Sequence, residues 1–363
     1  MDPRIEKHAE IIVEHSTDVQ PGDTVIVSGP PEARDLVAAV YGKLGEVGAL
    51  PVQLTQDPRA MREYMLAVDP EELDVPEHLQ ALIEKTDVLI GIRANSNKNE
   101  TSDVPPEKNV AMAKLHKPIQ EVMMEKRWVG TQFPATGDAQ KAELSTPAYE
   151  EFVYGAINRD WDAQRELQQQ VVDRLEGADE VRIVSGETTD ITMSVLGNPT
   201  KNDYAEQNLP GGEVFTAPVP DSVEGEVLFD KPLMSQGREV TGVRLVFEQG
   251  EVVEYEAEKN EEVLAAALRT DEGAKRIGEL GIGMNRDIDE FTYNMLFDEK
   301  MGDTVHLALG RAYEETVGEG NERNDSAVHM DMIVDMSEDS YIEVDGEVIQ
   351  RNGQFWFEEG FEN

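Results

Sequence analysis

The order of strand and helix signals changes once along the chain, and that change constrains the fold more than any other feature. Between Gly22 and Phe133, β-branched runs alternate with helix-spaced stretches: GDTVIVSG (22 to 29), a helical pattern through Leu44, LPVQLT (50 to 55), the helix-like ALIEK, TDVLIGIRA (86 to 94) and RWVGTQF (127 to 133). Parallel strands need crossovers, so this alternation predicts a mostly parallel sheet with helices on its faces. A polar, Gln-rich stretch from Thr146 to Leu175 carries helical spacing. After EGADE, strand signals follow one another: EVRIVSG, DITMSV, GEVFTAPV, GEVLFD and VTGVRLVFEQGEVVEYEAE, with helical patterns at EEVLAAALR (261 to 269) and around EGAKRIGELG. Gln249-Gly250 and Asp345-Gly346 lie between alternating runs and read as hairpin turns.

A chain of 363 residues exceeds the length at which one core usually stops growing. Two domains are therefore expected: residues 1–176, an α/β domain of Rossmann-like or flavodoxin-like character with a mostly parallel sheet, and residues 177–363, an antiparallel-rich α+β domain. Ligands of parallel sheets bind at the carboxyl ends of strands. There, SGPP follows the first strand, but the chain has no G-x-G-x-x-G and no G-x-x-x-x-G-K-[ST], so a structural or covering role suits this domain better than nucleotide binding.

Acidic residues outnumber basic ones by 75 to 32, a formal charge of −43, and they are spread along the whole length. Such a surface repels nucleic acid and anionic lipid, so neither is an expected partner. Self-repulsion on this scale is tolerated where salt screens it, the screening length falling to about 3 Å at 1 M. A salt-adapted, halophilic cytosol is the expected setting. With no cysteine, disulfides and thiolate metal sites are excluded, and a transition-metal site must use His and carboxylates. The N-terminal MDPRIEKHAEIIVEH interrupts its apolar pattern with acids and does not read as a signal peptide. No apolar run approaches the roughly 20 residues that span a bilayer, so a cytoplasmic protein with no membrane partner is expected.

Metal-capable residues concentrate in the second half. In DSAVHMDM an extended backbone turns His329 and Asp331 to one face and Val328, Met330 and Met332 to the other. A partly solvated strand with His and Asp on its polar face is the other reading of that alternation. VHLALG repeats the pattern: Val305, Leu307 and Leu309 form an apolar face, while His306 shares its face with Ala308 and Gly310, which leave room beside an imidazole. Glu213 follows a Pro-Gly-Gly turn, Glu279 sits among glycines in RIGELGIGMN, and YNMLFDEKMGDTVHLALGRAYEE carries Glu299, His306 and Tyr313. Imidazoles and carboxylates together suit zinc, cobalt or manganese. This donor set exceeds what one tetrahedral catalytic zinc takes and is about right for two ions.

The blocks NLPGGEVFTAPV, GELGIGMN, LFDEKMGDTVHLALGRAY and HMDMIVDM resemble those of the aminopeptidase T family of metallo-aminopeptidases, also called thermophilic metalloproteases. GDTVIV and KRWVG extend the resemblance over nearly the whole chain, and the acid excess points to a haloarchaeal member. The resemblance implies a catalytic second domain that hydrolyses N-terminal residues from short peptides through a two-metal-activated water. By position, it implies Glu213, Glu279, Glu299, His306, His329 and Asp331 as ligands of two divalent ions, with Glu279 bridging, and Tyr313 as the catalytic tyrosine. It also implies a homodimer, and a first domain that covers the site or serves the dimer. The spacing from the Phe-Asp-Glu run to His306 is two residues longer than in some members. A non-catalytic metal- or peptide-binding protein that keeps the fold is the alternative. A metal-dependent hydrolase of non-peptide amides is a third reading.

Overall fold

The computed structural model describes residues 1–235 and 237–361. The chain forms two compact units, Met1–Arg159 with Ala205–Gly211, and Asp160–Tyr204 with Gly212–Asn363.

The first unit is built on a parallel sheet whose order is Leu50–Thr55, Thr24–Gly29, Val88–Arg93, Arg127–Gln132 and Asn208–Leu209. Its first four strands are those expected from the β-branched runs. Val25, Val27, Val88, Ile90 and Val129 are almost fully buried, as strands covered on both faces require. The connecting helices carry their own stop and start signals. Gly48, at φ +86°, closes Arg34–Val47 in the left-handed conformation, and the Asp57 side chain accepts from the backbone N–H groups of Arg59 and Ala60 to start Pro58–Ala67. A helix from Pro106 to Met124 escaped the sequence reading; Pro118 lies inside it and removes one of its backbone donors. The fifth strand is only two residues long, too short to leave a periodic signal.

Beside the short antiparallel strand pair Leu233–Ser235 and Arg238–Val240, the second unit holds two larger antiparallel sheets among the described residues. The larger has eight strands in the order Glu251–Glu256, Val243–Glu248, Glu224–Phe229, Thr189–Ser194, Glu180–Ser185, Ser340–Val344, Glu347–Arg351 and Gln354–Phe355. Both expected hairpins are present. Gln249 and Gly250 have φ of +51° and +79°, and Asp345 and Gly346 +49° and +82°, the positive values that a two-residue hairpin turn demands at both central positions. The smaller sheet runs His329–Asp335, Thr304–Gly310, Ile277–Gly283, Glu213–Thr216 and Lys201–Asp203. Val181, Ile191, Val227 and Leu245 of the large sheet share one hydrophobic cluster with Val214, Leu280, Ile282, Val305, Leu307, Met330 and Met332 of the small one. One face of the small sheet is thus committed to the core, which leaves the other free for polar side chains.

Three sequence expectations differ from this architecture. The stretch from Thr146 to Leu175 is two helices, Thr146–Ile157 and Trp161–Leu175, and Asp160 caps the second by accepting from the Ala163 N–H. That second helix belongs to the second unit, so the units divide after Arg159 where the sequence reading placed the boundary after residue 176. The segment EGAKRIGELG is not helical beyond one short turn at Gly273–Lys275; Ile277–Gly283 is a strand buried along its whole length.

Candidate metal centre

Ladder pairing brings the ligand-type residues to one face of the small sheet. Residues directly opposite in an antiparallel pair share a face. Glu279 pairs with Ala308, which pairs with Asp331; Gly281 pairs with His306; Gly310 pairs with His329; Gly283 pairs with Glu213. Each of these five strand residues, Glu213, Glu279, His306, His329 and Asp331, therefore faces a glycine or alanine across at least one ladder, and these small residues make the space the large polar ones occupy. At Gly281 the requirement is strict, because a Cβ there would stand 2.0 Å from His306 Cε1 and 2.1 Å from Nε2. The imidazole lies directly on the neighbouring backbone. Gly310 has φ +101°, and a Cβ on it would meet the Val328 carbonyl oxygen at 2.1 Å.

The side chains converge. His306 Nε2 lies 3.4 Å from Glu213 Oε2 and 3.3 Å from Glu279 Oε1, and all three residues are buried. His329 Nε2 lies 3.4 Å from Asp331 Oδ1 and 3.8 Å from Glu279 Oε2. Glu279 thus turns one oxygen toward each histidine. His329 Nδ1 lies 2.9 Å from the Arg311 carbonyl oxygen and donates to it, which leaves Nε2 as the ring atom facing the acids. The Tyr313 hydroxyl is 3.5 Å from His329 Nε2, and its ring packs edge-on to Phe215.

Electrostatics show how strongly the cluster calls for positive charge. Burial works against protonation of His306, yet the Glu279 hydrogen bond and the Glu213 charge outweigh it and push the imidazole up to about 10. Burial likewise opposes charge on His329, and Asp331 and Glu279 push it up to about 9. Burial raises the carboxyls of Glu213 and Glu279. It also acts to raise Asp331, but His329 and His306 hold that carboxyl below its usual range.

A divalent cation fits this set. Glu213, Glu279 and His306 each offer a donor atom, all within 4.8 Å of one another. Glu213 Oε2 and Glu279 Oε2 are buried with no hydrogen-bond donor, which is costly for a carboxylate unless a cation meets it. Nitrogen and oxygen donors without sulfur suit the metals expected from the sequence.

Glu299 lies outside that tight group. It caps the short helix Met295–Asp298, and its Oε1 meets the Lys300 ammonium. Lys300 itself was missed by the sequence reading, as were Asp203 and two glutamines. The Lys300 side chain is fully buried, with its Nζ 3.0 Å from Glu213 Oε1. Gln168 Nε2 donates to the backbone carbonyls of Asp203 and Glu213, and Gln164 Nε2 to that of Met284. The Gln-rich composition of the helix was the available signal: these amides satisfy strand-end carbonyls beneath the site.

The family model described as thermophilic metalloprotease (M29) matches residues 1–355. Aminopeptidase T of Thermus thermophilus is 30% identical over 94% of each chain, and aminopeptidase 2 of Geobacillus stearothermophilus 28% identical over 98% of each. The solved structure of wild-type AmpT from Thermus thermophilus superposes with a TM-score of 0.87 at 27% identity, covering 98% of this chain and 99% of that one. A 2,5-dihydroxypyridine dioxygenase from Pseudomonas putida shares the fold at a TM-score of 0.62 and 16% identity, covering 99% of each chain. The relatives that align over nearly the whole chain at 28% to 30% identity are aminopeptidases, so it is a metallo-aminopeptidase and belongs to the thermophilic metalloprotease (M29) family.

Proposed function

We propose that the protein removes N-terminal residues from short peptides using two divalent ions, zinc, cobalt or manganese. Glu213, Glu279 and His306 hold one ion, and Glu279, His329 and Asp331 the other. The observation that carries this reading is the placement of Glu279, with Oε1 3.3 Å from the His306 nitrogen and Oε2 3.8 Å from that of His329. A shared carboxylate between two half-sites is the arrangement a metal pair needs. Glu299 enters as a further ligand on the family resemblance alone.

When bound, such a pair supplies Lewis-acid polarisation of a peptide carbonyl and a water acidified to near neutrality. The chain's own residues do the rest. The Arg311 carbonyl keeps the His329 ring oriented, and Glu279 fixes the spacing of the half-sites. Burial, together with Glu279, Asp331 and Glu299, pushes the Tyr313 hydroxyl above its ordinary range, so it stays a hydrogen-bond donor at neutral pH. Its position beside His329 suits donation to the oxyanion that forms on the attacked carbonyl. A bound ion would also offer a place for the neutral α-amine of a peptide, which would favour cleavage at the first residue.

A net charge of −43 supports a salt-rich cytoplasm as the working environment, and the family resemblance supports a homodimer and a covering role for the first unit. Sedimentation and a salt titration of activity test the dimer and the salt dependence. No helix among the described residues is long and apolar enough to cross a membrane.

The primary test is elemental analysis alongside hydrolysis of leucyl-p-nitroanilide, for the wild-type protein and for a His329→Ala, Asp331→Ala double variant. Two ions per chain are expected in the former, with loss of one ion and of activity in the latter. A single ion per active wild-type chain would refute the pair. Equal cleavage of N-acetylated substrate would refute the amine requirement.

A further inference from the structure

Lys300 has no place in the mechanism above, yet its ammonium lies at the floor of the metal centre. Its side chain has no solvent exposure. Nζ reaches Glu213 Oε1 at 3.0 Å, touches Glu299 Oε1, and lies 3.8 Å from Asp203 Oδ2. Asp203 pairs with Glu213 across the ladder, so two of these carboxylates stand side by side on the same sheet face. The backbone of Lys300 is itself fixed: its N–H donates to the Phe297 carbonyl and its carbonyl accepts from the fully buried Asn285. A buried cation paired at one end and anchored at the other restricts its partners.

The consequence falls on Glu213. With Oε1 held by Lys300, rotation of the carboxylate breaks that ion pair, and Oε2 is the atom turned to His306 at 3.4 Å without any hydrogen-bond donor. We propose that Lys300 is a positioning residue for the metal centre, clamping Glu213 through Oε1 so that the carboxylate presents Oε2 alone to a divalent ion. This rests on the two-ion reading only in taking Glu213 as a ligand.

Charge and positioning predict opposite signs, which makes the idea testable. A cation beside a divalent site repels its occupant, so if charge alone mattered, removing Lys300 would tighten metal binding. If Lys300 positions Glu213, removing it frees the carboxylate and weakens binding, by the 10- to 100-fold typical of lost groups that orient metal ligands. The experiment is competition between protein and a chromophoric chelator for Zn²⁺, with the thermal midpoint of the chelator-treated protein measured in parallel. Wild type, Lys300→Met and a Lys300→Met, Asp203→Asn double variant are compared. The double variant removes one cation and one anion together, which keeps the net charge of the site.

Expected are a 10- to 100-fold weaker Zn²⁺ affinity in Lys300→Met, and a double variant that regains apo-protein stability but not affinity. Unchanged or tighter binding in Lys300→Met overturns the proposal, as does recovery of affinity in the double variant, which would make Lys300 a charge balance only. If Lys300→Met does not fold, the double variant decides alone. Wild-type metal content and leucyl-p-nitroanilide hydrolysis, measured on the same preparations, report separately on the peptidase reading.

Discussion

Replacing Gly281 by alanine tests the link between ladder register and catalysis with a single methyl group. Across the ladder Gly281 faces His306, and the added Cβ would fall 2.0 Å from Cε1, 2.1 Å from Nε2 and 2.8 Å from Nδ1 of the imidazole. Carbon atoms in contact separate by about 3.5 Å, so ring and strand must move apart by about 1.5 Å. His306 has no solvent exposure, and its Nε2 lies within 3.4 Å of both Glu213 and Glu279 oxygens, so the ring cannot retreat without leaving its partners. Metal–ligand distances tolerate only about 0.2 Å, and a displacement of about 1 Å near the chemistry can cost 10²-fold in rate. The expected outcome is a fall of about 10²-fold in kcat/KM, about 2.7 kcal/mol of transition-state stabilisation, with metal content reduced. Overpacking should lower folding stability by about 1–3 kcal/mol. Leucyl-p-nitroanilide kinetics, elemental analysis after dialysis against buffered zinc, and denaturant unfolding read the three effects. Gly42→Ala is the control, since a Cβ there meets nothing within 4 Å on the helix Arg34–Val47. A Gly281→Ala protein that keeps its metal and has kcat/KM within threefold of wild type would refute the close-packing argument.

Two further outcomes follow from the same geometry. Tyr313→Phe removes one hydroxyl beside His329 and no proposed metal ligand, so metal content should hold while kcat falls by about 10²- to 10³-fold; a fall below threefold would remove Tyr313 from catalysis. His8 is held neutral by burial, which lowers its pKa to about 3. Because that lies below the unfolded value of about 6.5, the stability it contributes is full well above pH 6.5 and erodes as pH falls toward 3, by about 2.3 kcal/mol between pH 6.5 and 4.5. Denaturant unfolding at pH 7 and 4.5 should show a pH-dependent loss smaller by that order in His8→Gln, whose amide can still meet Thr131 Oγ1, 2.8 Å from the His8 ring in the wild type. An equal loss in both proteins would mean His8 does not titrate on unfolding in this range.

Local pattern carried much of the candidate site. Period-two alternation around His306 and around His329 and Asp331 is a property of the chain by itself, because successive strand side chains alternate faces whatever the sheet they join. The turn residues Gln249-Gly250 and Asp345-Gly346 were legible for the same reason: positive φ is a local demand. Glu279 was harder to place, since glycines in GELGIG are as consistent with a broken helix as with a strand. Only the pairing of Gly281 with His306 shows why glycine must stand there.

The amino-acid sequence alone determined the acid excess and the exclusion of thiolate chemistry, and it offered the ligand-type residues as candidates. Tertiary structure decided which of them meet. Glu213, Glu279, His306 and Asp331 come from four different strands, and their convergence depends on sheet order and register, which are long-range quantities that no short window encodes. It likewise decided that the ammonium of Lys300 is buried against Glu213, Glu299 and Asp203, and that the glutamines of Trp161–Leu175 serve the second unit. A lysine or glutamine reads as a surface residue until the fold supplies the buried carboxylates and open carbonyls that hold it inside.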